Sequence, residues 1–495
     1  MKHVISKVCA FLMSLTLLVG LMPAIDAEAY DPNADLGTVT ISGVTNNNKF
    51  VGYKIMNITY NATTNQVSYA WASDAIKTAI GVTPEAFEKL DEEGRKNSLV
   101  AVAKLVSGMD KSLTEVTASD NKAVFSNVSI GGYLIVPTST DEVYQTMMAV
   151  VQPVAGDTGY ATVGATVAAK KNPLGITKTV AKDNTGMTEK VSYTVVADVP
   201  TYPDDATDKT YKISDTLRTG LNYVDSSLVV KGVASDDSET SLGTETVTDG
   251  AYTFTKTDAQ NFSITFTYDK IKTYSKIKLE YKAVVNENAS MGIPDGNATN
   301  NRNTATLTYS HYPYIANAQS TDTSTVDVYT FGLKVVKKDA TYDTKKLAGA
   351  EFDLYREATA ADDAGVKLSG ENRPEVLRTG DTVYVKVNTS TITTDANGEA
   401  QVSRLAEGAY YLVETKTPNG YTLPSNAFTV TISRNDNKMV TATGIQTAEI
   451  TNVSGFTLPQ TGGSGTVVFT IVGISLMLAA VVVFFVLRRK ETHKK

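Results

Sequence analysis

The chain of 495 residues has one cysteine and three histidines, and their positions decide what they exclude. Cys9 and His3 fall in an N-terminal apolar stretch and His493 is two residues from the end, so His311 is the one histidine of the long middle part. A single thiol cannot form an internal disulfide, so the usual extracellular staple is missing. Ser-His-Asp and Cys-His nucleophiles and multi-histidine metal sites also lack the residues they need. No cofactor, no metal and no enzyme activity are expected. Basic charge is in short supply too: 46 Lys and Arg face 53 Asp and Glu, a net charge of −7, which argues against nucleic acid as a partner.

Long apolar runs occur only at the two ends. Lys2 and Lys7 flank the run 8–22, and Ala27-Glu28-Ala29 supplies small residues for cleavage, which predicts a signal peptide over residues 1–29. At the other end an apolar run, 467–487, stops at Arg488-Arg489-Lys490. About 20 apolar residues cross a bilayer as a helix, and a basic tail holds its end in the cytoplasm. Just before this predicted transmembrane helix stands Leu458-Pro459-Gln460-Thr461-Gly462. The segment resembles the sorting signal of Gram-positive surface proteins. That resemblance implies cutting by a sortase cysteine between Thr461 and Gly462, transfer of the Thr461 acyl group to an amine, and only transient membrane anchoring.

Between the ends the texture is short alternating runs of Val, Ile, Thr and Tyr bounded by Gly, Asn, Asp and Pro, which predicts a mainly β chain of sandwiches. Roughly 420 residues allow about three domains. Helix is expected once, as an insertion in the first domain, where Thr83-Pro84-Glu85 reads as a helix start and Leu99, Val102, Ala103 and Val106 follow helical spacing. The expected domains are 30–171, 172–329 and 330–453, followed by the sorting signal at 454–495. The first boundary rests on a loop-like proline in Lys170-Lys171-Asn172-Pro173.

Side chains of a strand alternate faces. In the last domain this parity puts Lys337 with Leu333 and Val335, Glu414 with Tyr410 and Leu412, and Asn452 with Ala448 and Ile450, while Lys334 and Lys338 point to water. The middle domain repeats the pattern with Lys178 beside Ile176 and Val180, Asp215 beside Tyr211 and Ile213, and Asn303 beside Ala305 and Leu307. Each domain is thus expected to open with an inward lysine and to close on a strand with an inward asparagine. Buried unpaired, such groups cost several kcal/mol each. Desolvation lowers a lysine pKa and raises that of a carboxyl, so the two can meet as neutral amine and protonated acid. The amine is then a nucleophile, and the acid can polarise the asparagine carbonyl and move a proton to the leaving ammonia. A Lys-Asn isopeptide bond would remove two buried liabilities and staple a domain that has no disulfide.

Leu347-Ala348-Gly349-Ala350-Glu351-Phe352, the run from Gly408 through Tyr410 to Glu414, and Pro418-Asn419-Gly420-Tyr421 make the last domain resemble a Cna-B/SpaA-type pilin domain. The resemblance implies a bond between Lys337 and Asn452 assisted by Glu414. With Tyr211-Lys212-Ile213-Ser214-Asp215-Thr216-Leu217 and Asn303-Thr304-Ala305-Thr306-Leu307, the middle domain is similar to the fimbrial isopeptide-forming D2 domain. The implied triad is Lys178, Asn303 and Asp215, with Asn301 as an alternative of the same parity. In the first domain the run from Gly132 to Pro137 echoes Gly408 to Glu414, but Pro137 stands where the glutamate would be, so no internal bond is expected there.

Backbone pilins carry a linking lysine at the end of the first domain. The stretch ending Lys170-Lys171-Asn172 corresponds to it and leaves Lys171 and Lys170 both open. A further stretch, Asp236-Asp237-Ser238-Glu239-Thr240, imitates the start of a von Willebrand-type metal site, but its flanks read as a hairpin. The family resemblance therefore implies a secreted, peptidoglycan-anchored backbone subunit of a covalent pilus. Its partners would be a class C pilus sortase, a housekeeping sortase, identical subunits, and minor or tip pilins. The alternative is a singly anchored adhesin or minor pilin that binds a host ligand.

Overall fold

Alternation of buried and exposed residues marks strands such as Lys190–Asp198 and Lys276–Val285 of the computed structural model, which describes residues 36–455 apart from 62, 65, 141, 157–158, 188, 205, 293–300, 359–375, 380–381 and 435–443. The expected signal peptide, the pentapeptide Leu458 to Gly462, the apolar run 467–487 and the basic tail lie outside the described residues. Among the described residues no helix is long and apolar enough to cross a membrane. The chain is mainly β and divides into two compact units, residues 1–290 with 294–329, and residues 291–293 with 330–495.

The first unit contains two hydrophobic cores. One is closed by a six-stranded sheet built on Lys49–Asn61 and Gly131–Ser139 and by a three-stranded sheet in which Gly37–Ser42 pairs in parallel with Ala165–Ala168. Three helices follow Gln66–Trp71 and make up the expected helical insertion. They are Asp74–Ile80, Pro84–Glu88 and Glu92–Ala103, and each has a side-chain N-cap, from Ser73, Thr83 and Asp91 respectively. Leu99, Val102 and Ala103 are buried from the third helix, whereas Val106 belongs to a separate 3₁₀ turn beyond its end. The apolar spacing runs on through a helix stop that it cannot reveal.

The second core lies between a six-stranded sheet containing Ile176–Val180, Lys190–Asp198 and Lys276–Val285, and a five-stranded sheet containing Tyr211–Leu217, Arg302–Ser310 and Gln319–Asp327. Two cores in one unit are interlocked rather than strung on a linker. Tyr312 and Tyr314, which follow the strand Arg302–Ser310, pack into the first core, while Val143 joins the second. The loop-like proline is also strand: Lys171–Pro173 pairs antiparallel with Glu142–Tyr144, and Pro173, which has no N–H to give, sits at its end.

The second unit is a sandwich of a three-stranded and a six-stranded sheet. Phe331–Asp339 is the middle strand of the smaller sheet, antiparallel to Glu399–Leu405 and parallel to Ile445–Asn452. Its burial departs from simple alternation, since every residue but Lys334 is buried. Lys338 does not reach open water as parity predicts; only 8% exposed, it is held by Asp343 at 3.2 Å and Glu449 at 2.8 Å.

Candidate functional site: two buried lysine clusters

In the second unit Lys337 and Asn452 come from neighbouring parallel strands, and Glu414 comes from Gly408–Lys416 in the facing sheet. All three are buried. Lys337 Nζ donates to Glu414 Oε2 at 2.8 Å and to Asn452 Oδ1. Asn452 Nδ2 donates to Glu414 Oε1 at 2.7 Å and to Thr417 Oγ1 at 2.6 Å. The glutamate therefore bridges amine and carboxamide, one oxygen to each. Phe352 and Phe428 rings lie 5.5 and 5.4 Å from the amine, and burial pulls its pKa below the ordinary lysine value.

The second core of the first unit holds a cluster of similar composition and different wiring. Lys178 and Tyr281 project from one sheet, Asp215 and Asn303 from the other. Asp215 and Asn303 sit two rungs apart on paired strands, since Asp215 faces Ala305 and Asn303 faces Leu217. Lys178 Nζ donates to Asp215 Oδ2 and to the Tyr281 hydroxyl. That hydroxyl donates to Asp215 Oδ2 at 2.7 Å and accepts from Asn303 Nδ2 at 2.9 Å. Desolvation lowers the Lys178 pKa and raises that of Asp215, the latter opposed by the nearby amine. Both shifts favour the uncharged pair.

Three features of this cluster depart from the sequence pattern. Asn303 is not on a closing strand, because Gln319–Asp327 follows Arg302–Ser310 and pairs with it. Asn301 shares the parity of Asn303 but precedes the strand, and its amide is engaged with the Ser290 backbone at 2.9 and 2.7 Å. Tyr281 is a member that the sequence does not announce. Its parity with Leu279 and Ala283 marks it as core, but nothing local shows that its hydroxyl meets a lysine 103 residues earlier.

The echo in the first core extends to geometry. Gly131 and Gly408 both have positive φ, 154° and 149°, and the tyrosines two residues on, Tyr133 and Tyr410, each donate to the carbonyl four residues back at 2.9 Å. Counting forward from these glycines, Pro137 takes the position of Glu414 and offers no carboxyl.

Near it, the two candidate linking lysines have different partners. Lys171 Nζ lies 3.0 Å from Glu142 Oε1 and donates to Thr45 Oγ1. Glu142, only 8% exposed, also accepts from Thr45 Oγ1 at 2.7 Å and Tyr144 at 2.9 Å, and Asn48 donates to that tyrosine at 2.8 Å. Lys170 Nζ is 3.8 Å from Glu92. The stretch at Asp236 is the turn of a hairpin between Val229–Val233 and Glu239–Thr244, where Asp236 accepts from Ser238 N and Oγ at 3.0 and 2.6 Å.

Residues 332–446 match the family profile of the SpaA prealbumin-like fold domain, and residues 450–493 match that of the LPXTG cell wall anchor motif. The trypsin-resistant surface T6 protein of Streptococcus pyogenes serotype M6 is 26% identical over 384 residues, 66% of this chain and 71% of that one. Fimbrial subunit type 2 of Actinomyces naeslundii is 27% identical over 333 residues, 62% of this chain and 58% of its own length. Among solved structures, the T6 backbone pilin, described as modular and three-domain, superposes with a TM-score of 0.58 at 20% identity over 80% of each chain. An anchor sequence at the C-terminal end of a prealbumin-like domain defines a wall-anchored surface protein. The chain is thus similar to fimbrial and pilus subunits and carries a match to the wall-anchor motif at its C-terminal end.

Proposed function

We propose that the protein is the shaft subunit of its pilus, stapled internally by Lys178–Asn303 and Lys337–Asn452 bonds and joined to the next copy through Thr461 and Lys171, with Lys170 as the alternative. The observation that carries the reading is that each of two cores in an anchored chain buries one lysine against one carboxyl and one asparagine. Such a group of side chains is costly to fold and inexpensive once condensed. Removing one partner of a buried charge pair costs about 3–5 kcal/mol, so leaving these residues merely hydrogen-bonded makes a poor way to stabilise a core. The chemistry is a self-modification with one turnover, and the protein is a structural subunit, not a catalyst of an external reaction. Load along the shaft would pass through covalent bonds, which resist far more than the about 5–15 kcal/mol that holds an ordinary domain folded.

Sorting implies two enzymes outside this chain, a class C pilus sortase for polymerisation and a housekeeping sortase for transfer to peptidoglycan, together with minor or tip pilins. Lys171 is the better supported link, because its side chain is partly exposed and its amine is oriented by the buried Glu142 carboxyl and by Thr45. Cell-wall extracts separated in detergent after boiling test the reading. A shaft subunit gives a high-mass ladder that is lost on substitution of Lys171 together with Lys170; a single band means a singly anchored adhesin or minor pilin.

A further inference from the structure

The two buried clusters differ by one methylene in the acid, and the difference leaves a gap. Glu414 reaches Lys337 with one oxygen and Asn452 Nδ2 with the other. Asp215 is shorter. Its Oδ2 takes both Lys178 and Tyr281, while its Oδ1 and Asn303 Oδ1 have no hydrogen-bond partner among the described residues. The nitrogen that must leave, Asn303 Nδ2, meets the Tyr281 hydroxyl instead of the acid. That hydroxyl also touches the attacking nitrogen, so one phenol contacts amine, acid and leaving group.

We infer that Tyr281 is a catalytic residue of the middle core, a proton relay that supplies the reach Asp215 lacks. The inference rests on the reading that Lys178 and Asn303 condense. The Lys178 nitrogen lone pair attacks Asn303 Cγ, and the new C–N bond opens the carbonyl to a tetrahedral alkoxide. Attack strips Nδ2 of its amide conjugation and gives it a lone pair, so both hydrogen bonds reverse. The phenol turns its proton from Asp215 to Nδ2 and gives it up as protonated Asp215 passes its own to the phenol oxygen. The Cγ–Nδ2 bond then breaks, ammonia departs, the carbonyl re-forms, and Asp215 recovers a proton from the former lysine nitrogen. Amine and carboxamide become secondary amide and ammonia, while Asp215 and Tyr281 return to their starting states. Positioned proton transfer of this kind contributes about 10²–10⁴-fold to a rate. Neighbouring rings hold the phenol in place, since it stacks on Tyr193 at 5.4 Å and meets the edge of Phe262 at 5.1 Å.

The experiment follows newly synthesised full-length chain over time, with mass spectrometry of the tryptic peptide that joins residues 178 and 303 and of the one that joins 337 and 452. Tyr281→Phe keeps the ring and removes the hydroxyl. Expected is a middle-core bond slowed about 100-fold and an unchanged 337–452 bond. Asp215→Glu in the Y281F background restores the rate, because the longer acid reaches Nδ2 as Glu414 does. A wild-type rate in Y281F overturns the relay and leaves the bond intact, as does a folded double variant no faster than Y281F. Absence of any 178–303 peptide from wild-type protein removes the bond itself. Should Y281F not fold, global incorporation of 3-fluorotyrosine is the second measurement: the 178–303 rate shifts while the 337–452 rate, whose amine, acid and carboxamide contact no tyrosine hydroxyl among the described residues, stays constant. Equal behaviour of the two rates overturns the relay.

Discussion

Asn452 stands two rungs beyond the parallel partner of Lys337, Ile450, and Glu414 of the opposite sheet closes the triangle between them. The amine and the carboxamide come from the first and last described strands of the unit. A bond there ties its beginning to its end, across 115 residues of sequence.

Removing the acid should therefore leave both partners unjoined. Glu414→Gln keeps the shape and loses the proton carrier, and the intact mass should stand about 17 Da above that of the same sequence with the bond formed, one ammonia retained. A cross-link that closes a loop of 115 residues is worth about 4–5 kcal/mol on the chain-entropy account. Denaturant midpoints of the two proteins check the loss.

Burial shifts the Lys178 pKa down, so in an unlinked core the unfolded chain binds more protons than the folded one below the ordinary lysine value. Stability of an Asn303→Ala variant should then rise as the pH climbs from 7 toward the lysine range. Wild-type protein should lack that rise, because an amide nitrogen does not titrate. Asp215 acts in the opposite sense: with its pKa raised, its contribution is full below the ordinary carboxyl range and declines as pH rises through the folded value. Urea midpoints across both ranges measure the two limbs.

His311 is buried next to Ser320 at 3.0 Å, and desolvation lowers its pKa. It immediately precedes Tyr312 and Tyr314, which interlock the two cores of the first unit. The unfolded state takes up the proton first, so stability is lost as pH falls below about 6.5. Thermal unfolding at pH 7.5 and pH 5 should show the drop, and His311→Gln should flatten it.

Glu142 holds Lys171 with help from Thr45, and Asn48 and Tyr144 support that glutamate. Glu142→Gln should slow growth of the ladder without abolishing it, since the nucleophile remains. Lys171→Arg should abolish it, whereas Lys170→Ala should leave it long. Immunoblots of wall extracts separate these three results.

Strand parity made both clusters legible, because a lysine, an acid and an asparagine among apolar neighbours of the same phase can only point inward. It failed where the backbone leaves its period or a longer contact intervenes. Lys338 belongs to a strand buried on both faces near its end, and the carboxylates that hold it, Asp343 and Glu449, come from outside its own strand. Asn301 kept the phase of Asn303 but fell before the strand began. The role of Tyr281 depends on four residues drawn from two sheets, and no window of sequence contains them. The interlocking of the first two cores by Tyr312 and Tyr314 was hidden for the same reason.

Mass spectrometry of the mature, wall-released protein bears most directly on the two staples. Two condensed clusters predict a mass about 34 Da below that of the processed sequence, two molecules of ammonia lost, with linked peptides joining Lys178 to Asn303 and Lys337 to Asn452. A full, unmodified mass with both lysines free to react with an amine label would contradict it.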